Sequence, residues 1–174
     1  AIGMSECSYY ISHSKNNPIR PGSAGFVQPG HTVKLLDPET LEEVEDGEEG
    51  MICIGEDDPG LFLEYWQLEE ETAKSRHDGY FFTGDYAKKD KDGYIWFIGR
   101  KDDIINTFGF RVSPHEIERV VKTHDDVADC VAFGLDIEKE KTIVAIAVIG
   151  HEELSEEKQA EILKFAQANL AKYK

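Results

Sequence analysis

Apolar and polar positions follow two different rhythms on either side of residue 100. From Gly22 to about Gly55, short apolar runs alternate with turn residues. Ala24 to Val27, Val33 to Leu36 and Met51 to Ile54 read as strands. Asp37-Pro38-Glu39 and Asp46-Gly47 supply the turns between them. Residues 68–76 hold one short helix. Tyr80 to Phe82 and Ile95 to Ile98 are further strands, with Asp90-Lys91-Asp92-Gly93 as a turn. Residues 1–20 are polar and show no period. Short strands at this spacing predict an antiparallel, β-barrel-like subdomain.

After Arg100 the period lengthens. Ile104 to Val112 reads as a hairpin around Thr107-Phe108-Gly109. Ser113 caps a helix, Pro114 suits its first position, and Glu116 completes a capping box. Ile117, Val120, Val121 and His124 form its buried stripe. Val127 to Phe133 and Thr142 to Ile149 are strands, and the second, apolar throughout, is expected to be central. Ser155 caps a last helix with Ile162, Leu163, Ala166, Leu170 and Tyr173 on its apolar face. The expected fold is α+β, with a β-rich domain over residues 1–100 and a small α+β domain over residues 101–174.

Composition narrows the function. Hydrophobic residues make up 40% and charged residues 31%, as in globular chains. Lys and Arg number 19 against 35 Asp and Glu, a net charge of −16. That balance speaks against nucleic acid and against an anionic membrane surface as partners. Cys7, Cys53 and Cys130 are odd in number and widely spaced, which fits neither a disulfide framework nor a zinc site. Cys53 and Cys130 sit in apolar runs and are expected to be buried thiols. No apolar run reaches membrane-spanning length and no signal-peptide pattern is visible, so the expected location is the cytoplasm. Ala1 stands inside what reads as the middle of an element, and Lys174 falls where a helix finishes. The chain is expected to be a piece of a longer protein.

The densest chemistry lies between Gly99 and Arg111. Arg100 and Arg111 flank the pair Asp102-Asp103 and Gly109. Charge at this density is costly unless solvated, paired or used on a ligand, and a nucleotide would suit the arginines. Thr83-Gly84-Asp85 is read as ending the strand Tyr80 to Phe82, where a carboxylate could accept hydrogen bonds from a vicinal diol such as a ribose. Arg100 lies across one hairpin from Asp85. Asp90-Lys91-Asp92-Gly93 also opens like a calcium loop, but the rest of that loop is absent.

Taken in order, Tyr80-Phe81-Phe82-Thr83-Gly84-Asp85, Asp92-Gly93-Tyr94, Gly99-Arg100-Lys101-Asp102-Asp103 and Gly109-Phe110-Arg111-Val112-Ser113-Pro114 resemble the adenylate-forming superfamily. That superfamily comprises acyl- and aryl-coenzyme A synthetases, luciferases and peptide-synthetase adenylation domains. Gly3-Met4-Ser5-Glu6 resembles its Gly-x-Thr-Glu motif with Ser5 for threonine, and Gly47 to Gly55 its Gly-Glu-Leu strand with Glu49 for an apolar residue.

The resemblance implies roles. Asp85 would bind the ribose of ATP or the acyl-adenylate, and Arg100 the same ribose and phosphate. Ser5, Glu6 and Arg111 would also face the nucleotide, with Glu6 associated with Mg2+. Asp102 would be the hinge between large and small domains. Gly109 would line the pantetheine tunnel of coenzyme A. His124 stands where some relatives place a metal-binding histidine. The implied activity is AMP-forming acid–thiol ligation, with a small carboxylic acid, ATP and coenzyme A as partners. Loading of a carrier protein, or a non-catalytic binding module that keeps the fold, are the alternatives. The superfamily's glycine- and serine/threonine-rich phosphate loop is absent from the 174 residues, and Tyr173-Lys174 looks like the start of the Tyr-Lys-x-Pro segment that precedes the adenylation lysine. The chain alone is therefore expected to be inactive. The identity of the acid and the oligomeric state are not legible.

Overall fold

In the computed structural model, residues 1–138 and 141–171 are described, with the backbone alone for Glu138 and Lys141. The expected Tyr173 contact of the last helix and the Tyr173-Lys174 segment lie outside the described residues. Contacts divide the chain into two units, Ala1–Lys101 and Asp102–Lys174.

The first unit is built on an antiparallel sheet. Strands β3 (Val33–Leu36), β4 (Glu49–Gly55) and β6 (Tyr80–Lys89) lie side by side. The free edge of β6 is shared: β5 (Arg76–His77) pairs with Tyr80 and Phe81, and β7 (Ile95–Arg100) pairs with Asp85 to Lys89. A two-stranded ribbon of β1 (Ile11–Ser12) and β2 (Phe26–Val27) joins β7 through a Gly25–Ile95 bridge. The single helix, α1 (Glu69–Lys74), has no side-chain cap and buries no residue, consistent with its six-residue length. Tyr10, Ile11, Ile52, Ile54, Phe81 and Ile95 form the core. Residues 1–20 are thus less irregular than their polarity predicts, because Cys7, Tyr10 and Ile11 are all buried. Trp66 is 81% exposed.

The second unit opens with the hairpin β8 (Ile105–Thr107) and β9 (Phe110–Val112). Phe108 and Gly109 at its tip have φ of 46° and 81°, and such paired positive values match a type I′ turn. Helix α2 (Pro114–Val121) starts as predicted: the Ser113 hydroxyl accepts the Glu116 N–H, and Pro114 occupies the first turn. Strands β10 (Val127–Glu138) and β11 (Lys141–Gly150) pair antiparallel. Among the described residues β11 has no second ladder partner, so it is not central. Its inner residues Val144, Ile146 and Val148 pack on a core of Ile117, Val121, Cys130 and Ile162. The other face of the ribbon leaves Val131, Phe133, Leu135 and Ile149 exposed. Of these only Ile149 belongs to β11, where Ile143 to Ile146 and Val148 are half-buried. Ser155 caps α3 (Glu156–Asn169), whose Ile162 and Ala166 are buried while Leu163 is exposed. No helix is long and apolar enough to cross a membrane among the described residues. The α+β fold class of the chain holds, with an antiparallel sheet in the first unit and a mixed second unit.

Candidate functional site

Thr83-Gly84-Asp85 does not end a strand. It lies in the middle of the ten-residue β6. Met51 pairs with Tyr86 and Cys53 with Phe82, so β6 carries extra residues opposite Ile52. The tripeptide is therefore a bulge, which re-aims a side chain without ending the ladder. Gly84 supplies the required φ of 78°. The Thr83 hydroxyl donates to the Ile52 carbonyl at 2.8 Å and accepts the Asp85 N–H at 3.1 Å. The Lys101 N–H closes the far side on the Gly84 carbonyl at 2.7 Å.

The bulge brings Asp85 opposite Arg100, its register partner on β7. Arg100 Nη1 lies 3.7 Å from Asp85 Oδ1, an ion pair too long for a hydrogen bond. The Arg100 side chain is 51% exposed and that of Asp85 10%. At that exposure the pair stabilises the fold by about 0–1 kcal/mol. Burial raises the Asp85 carboxyl above the usual carboxylate range, and the Arg100 charge only partly opposes it. A carboxylate held in this way retains acceptor capacity for a ligand's hydroxyls.

Ser5 is exposed and lines a cleft of about 400 Å³ with Gly3, Met4, Ser8 and Tyr9. Glu6, next to it, accepts the Tyr65 hydroxyl at 2.8 Å through Oε1. Burial, followed by the Glu6 hydrogen bond and charge, pushes the Tyr65 phenol up to about 12. The Tyr65 ring packs on Phe62 with centroids 4.6 Å apart. Sequence reasoning missed this link because the partners stand 59 positions apart. Tyr10 is fully buried, and burial, then the charges of Asp85, Cys7 and Glu6, raise its phenol well above the ordinary value. Tyr10 thus lies within electrostatic reach of both the Asp85 and Glu6 sides. A second cleft, of about 520 Å³, opens beside the bulge and is lined by Lys74, His77, Phe82, Gly84 and Lys101.

Asp102 is exposed in the turn that begins the second unit. In that unit Gly109 sits at the hairpin tip, with nothing within 4 Å of where a Cβ would stand. Arg111 is exposed on β9. His124 Nδ1 accepts the Asp126 N–H at 3.3 Å, and its ring packs edge-on to Phe165 at 5.0 Å. A histidine so placed closes the end of α2 and fills the gap to α3. The grouping of three potential metal ligands among the described residues does not include it.

Two family models match separate stretches of the chain. Residues 1–66 match the AMP-binding enzyme family and residues 116–174 the AMP-binding enzyme C-terminal domain. Asp85, Arg100 and the 105–112 hairpin lie between the two matches. The chain is 36% identical over 175 residues to a 3-hydroxybenzoate–CoA ligase of Aromatoleum sp. (strain CIB), covering 99% of this chain and 33% of that protein. It is 38% identical over 136 residues to acetyl-coenzyme A synthetase 1 of Saccharomyces cerevisiae, covering 76% of this chain and 19% of that one. ATP-bound MatB from Rhodopseudomonas palustris superposes with a TM-score of 0.86 at 32% identity, over 99% of this chain and 34% of its own. The anthranilate CoA ligase AuaEII in complex with anthranoyl-AMP gives 0.84 at 29% identity, over 95% and 32%. The chain thus spans about a third or less of the length of these relatives.

Proposed function

Since this chain belongs to the AMP-binding enzymes, we propose that it forms part of an AMP-forming acid–thiol ligase that activates a carboxylic acid with ATP and passes the acyl group to coenzyme A. The observation that carries the reading is the bulge in β6, which sets the buried Asp85 carboxylate opposite the half-exposed Arg100 guanidinium. A ribose diol would donate to Asp85. Arg100, free to swing by its loose pairing, would bind ribose and phosphate oxygens.

A carboxylate is a poor acyl donor. Attack of its oxygen on the α-phosphorus of ATP releases pyrophosphate and gives an acyl-adenylate, whose leaving group is AMP. The thiol sulfur then attacks the acyl carbon, its proton is lost, and AMP departs. The first step spreads negative charge over phosphate oxygens, so positioned cations supply much of its catalysis. Arg100 and Arg111 are the cations this chain would contribute. Glu6, one oxygen held by Tyr65, would keep acceptor capacity for the magnesium of ATP. Gly109 leaves open space at the hairpin tip for an approaching thiol arm, and Asp102 would supply the torsions of a domain rotation. His124 is the weakest fit, since Nδ1 is already an acceptor.

The test is acid-dependent exchange of labelled pyrophosphate into ATP by the whole ligase, across short, medium, long-chain and aromatic acids. Asp85→Ala and Arg100→Ala in that protein should each cut exchange at least roughly 10-fold, the scale of a lost charge-assisted hydrogen bond. The 174-residue chain alone should show none. Unchanged exchange in both variants would remove the proposed nucleotide roles.

A further inference from the structure

Away from the Asp85–Arg100 pair, three side chains converge in the interior of the first unit. Cys7 Sγ lies 3.9 Å from His31 Nδ1, and that nitrogen lies 3.0 and 3.1 Å from the two oxygens of Asp58. The three donor groups fall within 4.8 Å of one another. Cys7 and Asp58 are buried, with 1% and 4% exposure. They come from three separate loops: the turn after Ser5-Glu6, the approach to β3, and the segment after β4. We propose that Cys7, His31 and Asp58 bind one divalent ion of the zinc class through Sγ, Nδ1 and a carboxylate oxygen.

The His31–Asp58 hydrogen bond accounts for the carboxylate, while the sulfur at 3.9 Å lies beyond a strong one. A ring nitrogen carries one proton or one lone pair. His31 Nδ1 faces two oxygens and a sulfur, and a single N–H cannot be directed at all three. A cation among them satisfies all three. Tetrahedral zinc with bonds of about 2.0–2.3 Å sets its ligand atoms roughly 3.3–3.6 Å apart. The observed 3.0 Å and 3.9 Å bracket that range, within reach of small side-chain rotations.

The surroundings hold the carboxylate ready. Asp58 Oδ2 accepts the Thr32 N–H at 2.9 Å and Oδ1 accepts the Gly60 N–H at 2.8 Å. With His31 Nδ1 turned to the ion, each oxygen keeps a lone pair, and the backbone fixes its direction, as supporting partners do around bound metals. Gly60 closes over the cluster: a Cβ there would stand 2.9 Å from His31 Cε1, 3.2 Å from Asp58 Oδ1 and 3.5 Å from Cys7 Sγ. The donor set selects the ion. Sulfur and imidazole favour zinc over magnesium or calcium, which take oxygen ligands. Binding exchanges the Cys7 S–H bond for an S–metal bond and releases the proton to solvent. The ion would keep a fourth position open, since three protein ligands leave one. It would fasten the turn that carries Ser5 and Glu6 to two loops of the sheet, whether or not the ligase reading holds.

The purified 174-residue chain, stripped with chelator, is titrated with Co2+ and then Zn2+. One equivalent of cobalt should bring up a thiolate-to-cobalt charge-transfer absorption, and one equivalent of zinc should abolish it. Cys53→Ser and Cys130→Ser should keep the absorption, since neither residue joins the cluster. Cys7→Ser should lose it and bind zinc at least about 100-fold more weakly, the upper end of what losing a mere supporting partner costs. No absorption in the wild-type chain, or equal absorption in Cys7→Ser, overturns the proposal. The wild-type titration decides by itself if Cys7→Ser fails to fold.

Discussion

Burial holds the Asp85 carboxyl above the usual carboxylate range, with Arg100 only partly opposing it. The folded chain therefore binds this proton more tightly than the unfolded chain does. Stability from this group falls as pH rises from the ordinary carboxyl value through the raised folded value, and the loss persists at neutral pH. Asp85→Asn removes the ionised form while keeping the shape. Its thermal midpoint at neutral pH should exceed the wild type by a few degrees, and the difference should vanish in acid. If Asp85 is the proposed ribose acceptor, the same variant should bind AMP roughly 10- to 100-fold more weakly, because the acceptor's charge is gone. Thermal melts across pH, paired with AMP titration, separate the two effects. A variant less stable than wild type at neutral pH would show that the Arg100 pairing outweighs burial. This opposition between stability and ligand affinity is expected where a buried charge is retained for binding.

Gly84 is what allows β6 to bulge without breaking. Its φ of 78° suits glycine, and an added Cβ would meet only Arg100 Nη2 at an ordinary 3.6 Å. Gly84→Ala should thus cost the backbone term alone, about 1–2 kcal/mol by denaturant unfolding. A near-zero cost would mean that the bulge relaxes. The sequence reading took this glycine as a strand end because a turn signal and a bulge signal are the same residue; the partner strand decides between them. Elements whose signals are local were legible: Ser113 and Ser155 cap the helices they predict, and Val33 to Leu36 is β3. Tyr10 and Ile11 were missed because two-residue β1 is too short to show a period. Asp85 and Arg100 were legible as a pair since one hairpin joins them. The Tyr65–Glu6 bond and the Cys7–His31–Asp58 cluster were not, because their spacings depend on how distant loops fold together.

The described residues form two cores with no residue in common. The first draws on residues from Cys7 to Ile95, and the second on residues from Ile105 to Ala166. Each unit has its own sheet and at least one helix, and the division falls between Lys101 and Asp102. Every ligand of the proposed cation, and both members of the proposed nucleotide pair, belong to the first unit, whereas Gly109 and Arg111 belong to the second. Damage to one core should therefore leave the other's protection intact. Ile52, fully buried on β4, is a clean probe. Ile52→Ala should destabilise the first unit by about 2–5 kcal/mol through lost burial and a residual cavity. Hydrogen exchange should then quicken along β4 and β6, while amides of α2 and α3 keep wild-type protection. If α2 and α3 lose protection to the same degree, the chain unfolds as one cooperative body and the assignment of separate cores to separate tasks fails. If they do not, Gly109 variants that test the proposed thiol-transfer role can be made without disturbing the stability of the unit that holds Asp85 and Arg100.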